Sequence, residues 1–169
     1  MNKFLPILVL LLILIIAAWL CVFVVSEKEI VIVTRFGDPV RTLTDAGYYF
    51  KLPGFLSRVN RFDKRIQVFK PRPIQLSLKG QKPIIVTCYV CWRIESPLAF
   101  FQALATADNA QRKLSDMVTS RLGNVLGEYP LENIINTDPK EGKLAEIEEK
   151  ILAGCNRQAR KDYGLDIID

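Results

Sequence analysis

The sequence predicts an α+β domain held behind a single N-terminal transmembrane helix. Three observations predict it. An apolar run from Phe4 to Val25 carries no charge; short β-branched or alternating segments, punctuated by Gly and Pro, fill Glu29 to Ile94; and helical periodicity takes over from Ser96. The chain has 169 residues and a net charge of +5. Without the apolar run it is still long enough for one domain with a sizeable core.

At ~1.5 Å rise per residue, Phe4 to Val25 reaches ~33 Å, enough to cross a ~30 Å hydrocarbon layer. Residues 1–25 are therefore read as a signal anchor containing Phe4, Leu5, Leu12, Ile15, Trp19, Phe23 and Val25, and residues 26–169 as the folded domain. Pro6 falls in the first turn, where a missing N–H costs little. A cleaved signal peptide has a shorter apolar region followed by small residues. Here the run continues through bulky Val22-Phe23-Val24-Val25, and Leu20 before Cys21 does not suit lipoprotein processing. Lys3 and the amino terminus face Ser26-Glu27-Lys28-Glu29 across the run, which favours a cytoplasmic N-terminus and an external domain.

Behind the anchor, Glu29 to Phe36 reads as a strand ending at Gly37-Asp38-Pro39, and Pro53-Gly54 marks a turn after Gly47-Tyr48-Tyr49-Phe50. Ser57 to Lys70 contains a strand in which Ile66 and Val68 alternate with Arg65 and Gln67. Ile74, Leu76 and Leu78 alternate with polar residues, and Lys79-Gly80-Gln81-Lys82 fits a hairpin loop into one long strand, Ile84 to Ile94. This half is expected to be antiparallel.

In the second half, Ser96-Pro97 supplies an N-cap and N1 for a short helix to Leu104. A longer helix spans about Asp108 to Leu126, with Leu114, Met117, Val118, Leu122, Val125 and Leu126 on one face. Pro130 to Ile135 suits one helical turn. Asp138-Pro139-Lys140-Glu141 has the form of a capping box opening a helix with an apolar stripe of Leu144, Ile147, Ile151, Leu152, Cys155 and Ala159. Glu146 and Lys150 on it are spaced as an i,i+4 pair. Gly164 ends that helix and Leu165 to Ile168 begins a strand. The chain stops there, as an N-terminal piece of a longer protein would.

The chemistry is sparse. The chain has no histidine, which removes Ser-His-Asp and Cys-His catalysis and the commonest metal ligand. Lys79-Gly80-Gln81-Lys82 lacks the remaining elements of a phosphate loop. No cofactor and no catalytic residue is expected. Cys88 and Cys91 spell C-x-x-C, but within a strand residues three apart face opposite ways, so packing is favoured over a thiol oxidoreductase. Between Arg58 and Lys82, eight cations are opposed by Asp63 alone. They follow the apolar turn Leu52-Pro53-Gly54-Phe55-Leu56. Leu52, Phe55, Leu56, Arg58 and Arg61 are thus candidates for contact with a lipid interface, set against a solvated sheet with Phe55 and Leu56 in the core. The membrane anchor counts against nucleic acid as the partner of this charge.

Arg35-Phe36-Gly37, Gly47 to Pro53, Asp63-Lys64-Arg65-Ile66-Gln67, Val90 to Ile94 and Arg121 to Gly127 together resemble the SPFH (band 7) family of stomatins, prohibitins and flotillins. Their order is most similar to the HflC-type protease modulators. Pro83 departs from the pattern, standing where relatives carry a polar or acidic residue. The resemblance implies a non-enzymatic scaffold of the inner membrane that forms a hetero-oligomeric cage with an HflK-like paralogue and regulates the membrane protease FtsH. It also admits a stomatin-like or prohibitin-like organiser of membrane microdomains.

Overall fold

The structure, a computed structural model, describes residues 11–12, 22–50, 56–136 and 142–169. The chain divides into two compact units, Met1–Lys64 and Arg65–Asp169. The architecture is α+β, with antiparallel strands first and helices later.

The first unit holds β1 (Val22–Val25), β2 (Glu29–Arg35), β3 (Asp38–Leu43), β4 (Gly47–Phe50) and β5 (Ser57–Asp63). β1 pairs with β4, and β2 lies between β3 and β5. The expected strand at Glu29 is present, and it ends in a two-residue hairpin. Phe36 and Gly37 both take positive φ, 53° and 100°, so the turn can follow the strand twist. β3 is an edge strand and carries Pro39 where the register with β2 shifts, a place where a missing N–H is tolerated.

β1 corrects the anchor reading. Val22 to Val25 are not the end of a transmembrane helix. They form a strand in register with Phe50 to Gly47, and Phe23 and Val25 are buried with Val31. Phe23 also stacks near Tyr49, with ring centroids 6.1 Å apart. Burial of Phe23 and Val25 contributes on the order of 1.5–3 kcal/mol each, and β4 satisfies the backbone. The apolar run available to a span shortens to residues 4–21, ~27 Å of helix, within the usual range of ~17–25 residues. Of it, Leu11 and Leu12 are helical and exposed. The anchor positions Phe4, Leu5, Ile15 and Trp19 lie outside the described residues. Among the described residues no helix is long and apolar enough to cross a membrane.

The second unit holds β6 (Gln67–Phe69), β7 (Ile74–Ser77), β8 (Pro83–Val86), β9 (Val90–Ile94), α1 (Pro97–Ala103), α2 (Ala107–Leu126), α3 (Leu131–Ile134), α4 (Leu144–Tyr163) and β10 (Leu165–Ile167). β7 and β8 form the expected hairpin; β9 lies between β10 and β6. The long strand read over Ile84 to Ile94 is two strands in two sheets, interrupted at Thr87 to Tyr89. The strand read within Ser57 to Lys70 is likewise divided into β5 and β6. The alternation at Ile66 and Val68 points outward: they are 56% and 60% exposed, while Gln67 and Phe69 face inward and are half-buried.

The helices follow the apolar stripes. Leu114, Val118, Leu122, Val125 and Leu126 of α2 are buried, as are Ile147, Cys155 and Ala159 of α4. α2 opens one residue earlier than expected because Thr106 caps it, its hydroxyl accepting from the Asn109 N–H. α4 opens later, at Leu144 with Lys143 as N-cap; the capping box Asp138 to Glu141 lies outside the described residues. Gly164 ends α4 at φ +63°, and its carbonyl accepts from both Glu95 and Ser96 N–H at 3.0 and 2.9 Å. Only a glycine fits: a Cβ there would sit 2.6 Å from the Ser96 carbonyl oxygen.

This turn delivers β10 onto β9 with its middle residue, Asp166, buried. The Asp166 carboxylate accepts from Arg93 at 2.9 Å and from Arg160, which also reaches Glu95 at 3.3 Å. Asn156 accepts from the Ile167 N–H at 3.1 Å. Burial pushes the Asp166 carboxyl up, but the hydrogen bonds and charge of Arg160, with Asn156 and Arg93, outweigh it and hold the group below the ordinary carboxylate range.

Two outcomes follow. Gly164→Ala should cost on the order of 2 kcal/mol, read as a lower urea midpoint at unchanged m-value. Asp166→Asn should cost about 2 kcal/mol at neutral pH. A depressed carboxyl contributes stability above its unfolded pKa of about 4 and loses it as pH falls through the folded value. The gap between Asp166→Asn and the parent chain should therefore close in urea titrations below about pH 4.

Candidate membrane-facing surface

The two-stranded ribbon of β1 and β4 divides its side chains sharply. Phe23, Val25 and Tyr49 face the first unit's core. Val22, Val24, Tyr48 and Phe50 face out, with exposures of 39%, 51%, 79% and 75%. The register pairs Val22 with Phe50 and Val24 with Tyr48, so the four form two directly opposed apolar pairs on one face. Tyr49 is tied on the other side through its hydroxyl, which donates to the Asp45 carbonyl at 3.1 Å.

The same register has a consequence for position. Because Val22 opposes Phe50, the chain enters β1 and leaves β4 at one end of the ribbon. The apolar run 4–21 and the segment 51–56 are therefore joined to that single end. A wet apolar face beside two apolar chain segments suits a lipid interface, where aromatic side chains are favoured.

The sequence-derived contact residues stand as follows. Leu52 and Phe55 lie outside the described residues. Leu56 is half-buried at the entry to β5. Arg58 is exposed; its carbonyl accepts from the buried Thr34 hydroxyl at 3.4 Å. Arg61 is also exposed, but its guanidinium is 2.8 Å from the Glu29 carboxylate, which compensates its charge. Further along the basic stretch, Lys82 pairs with Glu132 at 3.2 Å and Lys70 lies 5.1 Å from the centre of the Tyr89 ring. Several of these cations thus have local partners. The face of Val22, Val24, Tyr48 and Phe50 was not read from the sequence, because apolar residues at every position of β1, and an aromatic run in β4, leave no period to reveal which side is out.

Cys88 and Cys91 do not open a helix, as a C-x-x-C redox motif would. Cys91 belongs to β9, whereas Cys88 falls in the break before it. Burial pushes the Cys88 thiol up, opposite to the shift a reactive thiolate requires. On α4, Lys150 pairs not with Glu146 but with Glu128, at 3.0 Å, and lies 5.7 Å from the Tyr129 ring centre.

The profile of the SPFH domain / Band 7 family matches residues 23–169. The chain belongs to this family. The match opens at Phe23, inside β1, which agrees with the ribbon being part of the family domain rather than of a span. Among curated relatives, Protein HflC of Vibrio cholerae serotype O1 (strain ATCC 39315 / El Tor Inaba N16961) is 29% identical over 190 residues, covering 93% of this chain and 58% of that protein. Modulator of FtsH protease HflC of Escherichia coli (strain K12) is 29% identical over 154 residues, covering 84% and 44%. Protein HflC of Treponema pallidum (strain Nichols) is 25% identical over 115 residues, covering 68% and 34%. The chain thus spans roughly a third to three-fifths of these relatives.

If the exposed ribbon face meets lipid, Tyr48→Asp with Phe50→Asp should weaken sedimentation of residues 22–169 with anionic vesicles at least about tenfold. Both positions are exposed, so the thermal midpoint should stay within a few degrees.

Proposed function

We propose that this chain is a non-enzymatic scaffold subunit of the HflC type, anchored in the inner membrane with its N-terminus in the cytoplasm and its family domain outside. It assembles with an HflK-like paralogue into a hetero-oligomer that regulates an FtsH-like membrane protease. The observation that carries this reading is the pairing of Val22 with Phe50, which joins the apolar run and the segment 51–56 to one end of the ribbon whose outer face is exposed. On this reading the first unit stands directly on the bilayer rather than swinging from a linker. That geometry is what a subunit needs if its neighbours are to be held at one height above the membrane. The relative from Escherichia coli is named as a modulator of FtsH protease, which supports the choice of partner.

Purification of the tagged full chain from membranes in mild detergent should bring an HflK-like paralogue and an FtsH-like protease with it; recovery of the chain alone would overturn the assignment. Protease added to the outer face of intact membranes should digest the domain. Resistance there, with digestion from the cytoplasmic face, would favour the stomatin-like organiser of microdomains.

A further inference from the structure

Helix α2 has two unlike sides. Leu114, Val118 and Leu122 are buried in the core of the second unit. Arg112, Ser115, Asp116 and Thr119 recur at i, i+3, i+4 and i+7, a polar stripe on another side of the helix. They line one wall of an open cleft of about 430 Å³, and the chain entering β7, Arg72 to Ile74, lines the other. Asp169 is hydrogen-bonded to Cys91 on β9, and no residue of β9 or β10 lines the cleft. The scaffold reading makes no use of it.

Each arginine is held by a different device. Arg72 stands between Pro71 and Pro73. Pro71 is buried, and a residue before proline is confined to extended backbone, so Arg72 projects from a stiff support. Arg112 donates to the Asn109 side-chain oxygen. That amide is itself fixed: its NH2 group donates to the Leu104 carbonyl at 2.8 Å, and the Asn109 backbone N–H donates to the Thr106 hydroxyl at 3.3 Å. A single bond to Asn109 leaves most of the guanidinium donors open. Arg72 and Asp116 enter no hydrogen bond or ion pair among the described residues. Two guanidiniums and one carboxylate thus border the cleft with their charges uncommitted, and Ser115 and Thr119 add half-buried hydroxyls.

We propose that this cleft binds a phosphoryl group with an ammonium group close by, the chemistry of phosphoethanolamine. Forked guanidiniums on two walls, with hydroxyls beside them, suit a tetrahedral anion with several acceptor oxygens. A carboxylate has fewer oxygens to share between them. Asp116 repels a simple anion, so inorganic phosphate is disfavoured. A cation borne by the same ligand turns that repulsion into attraction. The charges match as well: two arginines and one aspartate meet a phosphomonoester of about −1.5 to −2 and one ammonium. The same two groups occur in a free phosphomonoester and in a phospholipid headgroup.

The test titrates the full chain in maltoside micelles with O-phosphoethanolamine, inorganic phosphate and β-alanine, followed by isothermal calorimetry. O-phosphoethanolamine should bind at least about tenfold more tightly than either of the others. Arg72→Gln should weaken it about tenfold at an unchanged thermal midpoint, since the side chain is exposed. Asp116→Asn should close the gap, weakening O-phosphoethanolamine and strengthening phosphate. Repeating the titration in phosphatidylglycerol nanodiscs with and without phosphatidylethanolamine separates the sources. Competition by the added lipid supports the site and marks a headgroup; unchanged affinity supports it and marks a free phosphomonoester. Equal affinity for phosphate or β-alanine would overturn the proposal. So would unaltered binding in Arg72→Gln, a gap that survives Asp116→Asn, or no saturable binding of O-phosphoethanolamine.

Discussion

A paired strand shows every second side chain to each of its two faces, and this constraint decides what each sheet surface of the chain can do. In β1 it sends Phe23 and Val25 inward and leaves Val22 and Val24 outside, although all four are apolar. In the break before β9 it turns Cys88 toward the helices, and within β9 it turns Cys91 the other way from its neighbours Val90 and Trp92, both buried. The backbone hydrogen bonds that hold the register are therefore the source of the ribbon surface described above. A slip of one residue would exchange inside for outside along the whole strand.

Those elements that carry their own periodic or capping signal were legible in the sequence. Glu29 to Arg35 is β-branched and bounded by Phe36-Gly37; Lys79 to Lys82 sits between two alternating runs; the stripes of α2 and α4 are buried where the periodicity put them. The signal failed where hydrophobicity lost its period. The run from Phe4 is apolar at every position, so nothing in it marks the change to strand at Val22; only the partner strand Gly47–Phe50 makes that distinction. Ile66 and Val68 alternate correctly but face out, because period alone does not say which phase is buried. The break at Thr87 to Tyr89 depends on long-range pairing and has no local mark. The turn expected after Leu52 lies mostly outside the described residues, and the outward pairs on the ribbon required the register.

Electrostatics in the second unit serves the sheet rather than a reaction. Asp166 is the one charged side chain that β10 buries, and two arginines from different elements converge on it. A buried carboxylate without them would cost several kcal/mol. With them it links strand β9, helix α4 and β10, which hydrophobic packing alone would fix less specifically. Trp92, fully buried beside this strand, leaves its indole N–H without a partner, a sign that apolar packing dominates at its position.

The link between Arg93 and Asp166 also sets a clock. The two residues are 73 positions apart. At a synthesis rate of about 5–20 residues per second, β9 leaves the ribosome several seconds before β10 can reach it. For that interval one edge of β9 has no native strand, at a time when the apolar N-terminal run has already emerged. The nascent chain thus carries an uncovered strand edge. Whatever shields that edge, a chaperone or a neighbouring chain, acts before the fold does, and the yield of folded protein should depend on translation speed between Ile94 and Leu165.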